Sequence, residues 1–562
     1  MSDLYIYGGK DNKNLEIDSS SYIYFTNIGN IFKNGCSIQD MERVNDIALE
    51  YRDEYVEYIN SINSKFLDLD LVYDEKISMF FFTDLFNKRT EIFDTFVSIC
   101  HLLYLKERVS TGLNIDKIFI FDCTDMFAQA LKSTFPDKII VEKGVQKNKS
   151  NIKNFYLMQL KFFIKTAIQV LLIKIFFKEN HSVRNINRLF LSRYPLHFDK
   201  NFTEEKYGDM VSKTDWYLIS MITDGMHQNH TLTTILKSIK ELKSKKQFIL
   251  LDNFLTIKDV VNGLLQSYRL GTRKKLLIKQ KYSFKDIDVS KYIYYEIQQS
   301  FLRLPRLFIY RNALIRTFSN KNVKKFIFYL HEYSYGRYFN YIIANYAKEV
   351  ERIGFQHGPA SRRKVLYYLG VNKAKKGITT WRNQLPLPNK ILAEDELSVD
   401  VYREAGYTNI VLMTEIYRMK YLKNIIRKVA KQKQVLIVPG LHDGDALLQY
   451  IFDDIIRNKD VFYLFKPHPR STLAKAGIND NYNAANLSMV NGHISTFLST
   501  ASSVITTYSS VGYEAYLLKI PVQLVSLPNM INDSPLLDIE EKEELKLITI
   551  QWDRNRSKET PH

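Results

Sequence analysis

Short apolar runs of strand length recur along this chain, and charged stretches of helical length separate them. They lie at 4–7, 22–25, 79–82, 117–121, 189–191, 217–221, 248–251 and 326–330. Several end in small or polar residues, as in YGG at 7–9, FDCTD at 121–125 and ITDG at 222–225. Strands that alternate with helices favour parallel sheets with helices on both faces. The pattern therefore predicts an α/β protein that binds ligands beyond the carboxyl ends of its strands.

A proline-rich stretch, LPLPNKI at 386–392, is interpreted as a connection between domains. After it the rhythm restarts, with apolar runs at 391–393, 410–412, 435–438, 461–465, 504–506 and 522–525. We predict two doubly wound, Rossmann-like domains that face a cleft. The first covers 1–385 and carries a helical insertion at about 145–187. The second covers 386–545, and a polar tail follows at 546–562.

The charge balance favours an anionic partner. The 79 Lys and Arg residues exceed the 61 Asp and Glu residues, which gives a formal net charge of +18. A nucleotide-sugar phosphate, a nucleic acid or an acidic membrane face would each suit this charge. The three cysteines form no CxxC pair, which fits a reducing compartment. The first residues contain no basic segment followed by an apolar core, so we expect a cytoplasmic protein.

One segment, 155–177, is long and apolar enough to consider as a membrane span, but Lys161, Lys165 and Lys174 interrupt it. Each lysine near a bilayer centre costs about 2.5–3.5 kcal/mol, so spanning is disfavoured. Two interpretations remain open. The segment is either a buried helix whose lysines reach outward, or an interfacial helix on the anionic inner face of the cytoplasmic membrane.

The segment KPHPR at 466–470 directly follows an apolar strand. Its basic side chains suit charge-assisted hydrogen bonds to a nucleotide phosphate, and its two prolines fix the backbone. The alternative is a rigid turn with solvated charges. The candidate donor-binding residues of this segment are Lys466, His468, Pro469 and Arg470.

Two further loops are candidates for the same donor site. Ser509 and Ser510 precede a predicted helix, where a serine both caps the helix and leaves free N–H groups for an anion. Glu514, one turn later, is placed to meet an N-terminal donor or a ribose. The loop LHDGD follows the strand at 435–438 and favours a close approach of backbone to ligand. Its candidates are Gly440, His442, Asp443 and Gly444.

A metal site is not predicted. The D-x-D pattern at 443–445 is a carboxylate arrangement that is common by chance.

Three residues of the first domain are candidates for the general base. Glu332 follows the run at 326–330, and His357 lies in QHG at 356–358. Either side chain suits removal of a proton from an acceptor hydroxyl. Alternatively, Glu332 pairs with a nearby arginine and His357 is a turn histidine. Asp224 in ITDG is a third candidate. The cations expected to meet an anionic acceptor, or simply to face solvent, are Arg337, Arg362 and Arg363.

The order QHG, KPHP and YSS-x-x-YEA resembles the bacterial surface-polysaccharide glycosyltransferases of the GT-B fold. These include capsule and lipopolysaccharide enzymes that use CMP-linked sialic acid or Kdo, and more distantly the CDP-glycerol glycerophosphotransferases. The resemblance covers about 326–527. In the sialyltransferases an HP motif and a later Ser/Thr pair hold the donor, which here match His468-Pro469 and Ser509-Ser510. Their acidic general-base motif has no clean copy in this chain.

The resemblance implies an inverting glycosyltransferase that requires no metal or other cofactor. Its expected partners are a CMP-linked donor, a glycan or glycolipid acceptor and the inner leaflet. The cytidine is expected near 440–445 and the phosphate between His468 and the two serines. A CDP-glycerol or UDP-sugar transferase and a nucleotide-sugar epimerase are alternatives on the same fold. A single-stranded nucleic-acid binder is a remote alternative, because most aromatic residues lie in apolar runs.

Overall fold

The computed structural model shows three main parallel sheets. The residues it describes are 2–8, 15–27, 32–33, 36–146, 152–177, 184–223, 226–227, 231–329, 331–370, 385–428, 430, 432–469, 471, 473, 477 and 482–539.

The first sheet lies near the N-terminus and has the order β3-β2-β1-β4-β5. Helices separate its last three strands along the chain, whereas no helix lies among the described residues between its first three. Its strands are β1 (Ser2–Tyr7), β2 (Tyr22–Phe25), β3 (Cys36–Ser37), β4 (Ile115–Phe121) and β5 (Ile139–Lys143). The run at 79–82 is a 3₁₀ helix (Met79–Phe82), whose first turn is capped by the Ser78 hydroxyl. A fully buried apolar run does not by itself distinguish strand from helix.

The second sheet has seven strands in the order β8-β7-β6-β9-β10-β11-β12. They are β6 (Asn185–Arg193), β7 (Trp216–Ser220), β8 (Phe248–Leu250), β9 (Asn322–Phe328), β10 (Glu351–Phe355), β11 (Lys390–Ala393) and β12 (Ile410–Leu412). The sequence pattern assigned the last two strands to the C-terminal unit, yet β11 pairs with β10. Hydrogen bonding between sequence-distant strands decides sheet membership, and a proline-rich connection does not reveal it.

The third sheet has the order β15-β14-β13-β16-β17. Its strands are β13 (Gln434–Val438), β14 (Phe462–Phe465), β15 (Leu487–Met489), β16 (Ser503–Thr506) and β17 (Val522–Leu524). The α/β class with parallel sheets is confirmed. Residues 1–385, expected to form one sheet domain, contain both the first sheet and most of the second.

Helices cover the faces of these sheets and connect them. Tyr7, Phe25 and Phe121 of the first sheet share a buried cluster with Ile437 and Leu447 of the third-sheet unit. The α-helices are α1 (Met41–Ser61), α2 (Asn63–Asp68), α3 (Asp84–Asn87), α4 (Thr95–Ser110), α5 (Asp125–Thr134), α6 (Ile152–Phe176), α7 (Leu232–Lys243), α8 (Ile257–Ile278), α9 (Ser290–Phe308), α10 (Tyr310–Asn320), α11 (Ser334–Tyr346), α12 (Glu396–Glu404), α13 (Gly444–Arg457), α14 (Ile494–Leu498) and α15 (Ser510–Leu517).

Helix α6 occupies the predicted helical insertion. Its segment Asn154–Phe176 has the length and hydropathy of a membrane span, but 39% of its most apolar window is buried within the protein. Phe155, Phe163 and Ile173 face the core. The helix is therefore partly a core element, and its other face is exposed.

Candidate functional site

The carboxyl edge of the third sheet contains a topological switch point. From β13 the chain builds outward through β14 and β15, then returns to β16 on the other side of β13. Ligands of open parallel sheets bind in the crevice that such a reversal creates. The loops on either side of this crevice are 439–443 and 507–510. Both contain predicted donor-binding residues.

A buried carboxyl group, that of Asp443, lies in the loop at 439–443 beside the crevice. Asp443 accepts a hydrogen bond from the Thr507 hydroxyl across the switch point. Its second oxygen, Oδ1, is buried and has no hydrogen-bond partner within the described part of the chain. Burial raises the pKa of Asp443 to about 6. One oxygen of this carboxyl is therefore available to a hydrogen-bond donor on a ligand.

Gly440 lets an aromatic ring into the crevice. A Cβ at this position would lie 2.2 Å from the Tyr508 ring, so a residue with a side chain would displace the tyrosine. The close approach at Gly440 is to an internal ring, Tyr508, and an approach of this backbone to a ligand remains a prediction. Gly444 begins α13, and His442 is exposed beside Asp443.

The serine pair lies at the start of α15, as predicted. Ser509 is the N-cap, and its hydroxyl accepts from the Val511 amide at 3.4 Å. Ser510 donates to Glu514 at 3.4 Å. Glu514 also accepts from the Tyr421 hydroxyl at 2.6 Å, so its carboxylate is engaged within the protein. The capping role of Ser509 is confirmed, and anion binding remains a prediction.

Lys466, His468 and Pro469 follow β14 at the same edge. Because β14 and β16 flank β13, the two loops begin about 10 Å apart, which is two strand spacings. Lys466 is half-buried, and desolvation lowers its pKa. A phosphate between these loops would restore a counter-charge to this lysine. Arg470 lies outside the described residues.

The second sheet has its own switch point, between β6 and β9. Glu332 follows β9 there, and only 2% of its side chain is exposed. Its Oε1 accepts from the Tyr402 hydroxyl at 2.9 Å. Burial raises the pKa of Glu332 to about 7. The adjacent His331 is buried too, and desolvation lowers its pKa to about 3, so that ring is neutral.

His357 follows β10, next to the strand that precedes Glu332. Gln356 fixes the loop, because its side chain accepts from the Glu394 amide and donates to the Gly358 carbonyl, both at 2.8 Å. The His357 Nδ1 is buried without a hydrogen-bond partner among the residues described. Desolvation, reinforced by nearby cations, holds the pKa of His357 well below 6.5. A neutral imidazole can accept a proton, and its lowered pKa makes it a weaker base than a free histidine.

The segment after His357 joins the two sheets. The Lys364 ammonium lies 3.9 Å from Asp533, and the Arg363 guanidinium lies 2.9 Å from Asp538. The Arg362 amide also donates to Asp538 at 2.8 Å. Both aspartates follow β17 of the third sheet. The two switch points therefore meet through this basic segment.

A cavity of about 190 Å³ lies beside this contact. Four carboxyl side chains line it, together with one tyrosine and one histidine. Desolvation raises the pKa of Asp533, of Asp94 and of Asp443. A lining of this kind accepts hydrogen bonds from hydroxyl or amino groups and repels anions. The lining residues are Thr90, Glu91, Asp94, His442, Asp443, Tyr508, Asn529, Met530, Ile531 and Asp533.

The predicted acceptor-binding arginines are engaged within the protein. Arg337 is buried and donates to the Phe81 carbonyl at 2.8 Å, to the Glu332 carbonyl and to Asn87. It anchors the loop that carries Glu332 and offers nothing to an acceptor. Arg362 pairs with Glu404 at 3.1 Å, besides the Asp538 contact. Asp224, the third candidate base, lies outside the described residues.

Sequence reasoning missed three contributors to the cavity and its neighbourhood. Glu91 and Asp533 come from irregular segments about 440 positions apart, and no motif marks either of them. Gln356 stands inside the quoted QHG motif, but its role in holding the loop depends on the amide of Glu394, which follows β11. Only its position directly after an apolar strand was a usable signal.

Several solved structures are similar to about two thirds of this chain. One is UDP-GlcNAc 2-epimerase from Methanocaldococcus jannaschii, with a TM-score of 0.34 and 10% identity over 65% of this chain and 89% of that one. A second is the S. aureus MnaA–UDP co-structure, with a TM-score of 0.35 and 11% identity over 66% and 85%. A third is the wall teichoic acid polymerase TagF, with a TM-score of 0.30 and 13% identity over 67% and 79%. No family model and no curated protein matches the sequence.

Proposed function

We propose that this chain is a GT-B transferase that moves a sugar or polyol-phosphate group from a nucleotide-activated donor to an acceptor hydroxyl. The observation that carries the proposal is the meeting of two switch points through Lys364 and Asp533, at 3.9 Å. One side supplies the neutral His357, and the other supplies the loops after β13, β14 and β16. Two such edges around one cleft suit a two-substrate reaction.

The donor's nucleotide is placed on the third sheet. Lys466, His468 and the N-terminus of α15 offer positive charge and N–H groups to its phosphates. The aromatic ring of Tyr508 and the free Asp443 oxygen suit the base or the ribose hydroxyls. The cationic and N–H groups also stabilise the leaving phosphate. That the reaction requires no metal remains a prediction.

The acid-lined cavity bears on the choice of donor. A sialic acid or Kdo group carries a carboxylate, which Glu91, Asp94, Asp443 and Asp533 would repel. Hydroxyl groups of a neutral sugar or of glycerol would instead donate to these carboxyls. We therefore favour a UDP-sugar or CDP-glycerol donor over the CMP-linked ulosonic acid that the sequence resemblance first suggests.

In the proposed reaction the acceptor hydroxyl attacks the activated centre of the donor. The new bond joins the acceptor oxygen to that centre, and the bond to the leaving phosphate oxygen breaks with its electron pair. His357 takes the hydroxyl proton. With a sugar donor the centre is the anomeric carbon, and with CDP-glycerol it is the β-phosphorus. Closure around Lys364 keeps out water that would hydrolyse the donor.

A donor screen tests this function directly. Nucleotide release is measured with CDP-glycerol, with neutral UDP-sugars and with CMP-sialic acid, with and without glycan acceptors. We expect the donors without a carboxylate to be turned over at least about tenfold faster than CMP-sialic acid, because of the acidic lining. Asp443→Asn should narrow this preference, whereas Asp445→Asn, at an exposed neighbour, should leave it unchanged. Release from none of these donors would reject the function.

The pH dependence of kcat/KM separates the two candidate bases. A base works only when deprotonated, so Glu332, with its pKa of about 7, would lose activity steadily below that pH. The pKa of His357 lies well below 6.5, so we expect kcat/KM to stay level between pH 7 and about pH 6.5. A tenfold fall per pH unit that begins at pH 7 would transfer the role to Glu332.

A further inference from the structure

The outward face of α6 is mostly apolar, with Lys161 as a charged residue on it. Leu157, Ile164, Ile168, Leu171 and Ile175 recur at helical spacing on this face, and between 38% and 67% of each side chain is exposed. The stripe is about 27 Å long at 1.5 Å per residue. Soluble helices normally present polar residues to solvent, so a stripe of this length marks an interaction surface.

Helix α8 lies beside α6 and carries a second apolar stripe. The two helices run antiparallel, because Tyr156 stacks on Tyr268 with ring centroids 5.4 Å apart while Lys174 reaches the Asn253 carbonyl just before α8. We call the two stripes together the apolar platform. On α8 its exposed members are Ile257, Val261, Leu265, Tyr268 and Leu276.

The exposed charges on α6 and α8 have one sign. Helix α6 contains no acidic residue. The single acidic residue of α8, Asp259, is buried and bonded to Arg316 at 2.8 Å and to Asn312 at 2.7 Å. The exposed cations on these two helices are Lys161, Lys174, Lys258, Arg269, Arg273 and Lys275. Apolar side chains ringed by cations are complementary to an anionic lipid surface.

We propose that the apolar platform docks this protein on an anionic bilayer, with α6 and α8 lying in the plane of the interface. A spanning orientation is disfavoured because the Phe155, Phe163 and Ile173 side of α6 is packed into the core. The two antiparallel helices offer more apolar surface than α6 alone, and their lysines reach the headgroups while their stems cover hydrocarbon. This docking is independent of the proposed transferase reaction.

Vesicle flotation tests the platform on the full chain without any donor. The vesicles are phosphatidylcholine with about one third phosphatidylglycerol, and a second set is phosphatidylcholine alone. We expect co-flotation with the anionic set, weakened at high salt. The triple variant Ile164→Ser, Ile168→Ser, Leu171→Ser should bind at least about tenfold more weakly. Replacing Lys161 or Lys258 by Gln should each cost roughly fivefold.

The matched control places the same substitution at exposed apolar positions elsewhere, Ile426→Ser and Ile456→Ser, which are 77% and 46% exposed. This control should bind vesicles like the parent. Equal binding of the triple variant and the control, or no binding to anionic vesicles, overturns the proposal. Light scattering could instead show a dimer that dissociates only in the triple variant. That result would assign the platform to contact with a second copy and would also overturn the membrane proposal. Because no donor is present, neither outcome depends on the transferase assignment.

Discussion

Replacing His357 by alanine is expected to lower kcat by about 10²–10⁴-fold, which is the range that a general base contributes. Donor affinity should change little, since the donor is placed on the third sheet. The thermal midpoint should change little, because the His357 Nδ1 has no hydrogen-bond partner in the described chain and the ring's aromatic contact is with Tyr329 at 5.2 Å. Steady-state kinetics with the donor identified by the screen, together with thermal unfolding, measure these quantities.

Glu332→Gln is the matched comparison for that variant. The glutamine carbonyl can still accept from Tyr402, and the side chain remains nearly isosteric in its buried position. If Glu332 is a structural neighbour of the site, this variant should keep kcat within about tenfold of the parent. A collapse of kcat in Glu332→Gln, with His357→Ala still active, would reverse the two assignments.

The strands were largely predictable from the sequence, whereas their grouping into sheets was not. Runs such as 189–191 and 217–221 are strands because buried β-branched and aromatic residues suit a sheet covered on both faces. The sheet that a strand joins depends on pairing between distant residues. Accordingly β11 and β12 extend the second sheet, although a proline-rich connection precedes them. In the first sheet β1 lies at the centre, between β2 and the sequence-distant β4, and no local pattern predicts that pairing.

The candidate site, like the fold, was only partly predictable from the sequence. Loops such as 439–443 and 507–510 were predictable, because small and polar residues directly after strands mark the functional edge of an α/β sheet. The role of each side chain within them depended on neighbours from elsewhere. Arg337 has a charge that would suit an anionic substrate, but its guanidinium donates hydrogen bonds to the Phe81 carbonyl and to Asn87. Asp533 belongs to no sequence motif, and its place in the site is recognised only from its contact with Lys364.

Substituting Arg418 by methionine is expected to destabilise the folded protein by about 3–5 kcal/mol. Its guanidinium holds both oxygens of Glu394 at 2.5 and 2.7 Å and lies 3.7 Å from Glu514. These three side chains are at most 10% exposed. Methionine fills a similar volume but leaves two buried carboxylates without a cation, and that loss dominates the cost.

The network of Arg418 also joins the two halves of the site, since Glu394 follows β11 and Glu514 lies on α15. Differential scanning calorimetry should show a midpoint lower by about 2.5–4 °C, as expected for that loss in a chain of 562 residues. Arg403→Met, at an exposed pair with Asp400, should change it by less than about 2 °C.

The pH dependence of the Arg418→Met destabilisation distinguishes a loss of charge from a loss of packing. Burial already raises the pKa of Glu394, and removing its cation raises that pKa further. The folded variant then binds more protons than the unfolded chain, so its stability rises as the pH falls towards the unfolded pKa. We expect the deficit against the parent to be smaller at about pH 5 than at about pH 8, and Glu394→Gln in the same chain to restore part of it. A deficit that is equal at both pH values would show that the guanidinium acts through its volume rather than through its charge.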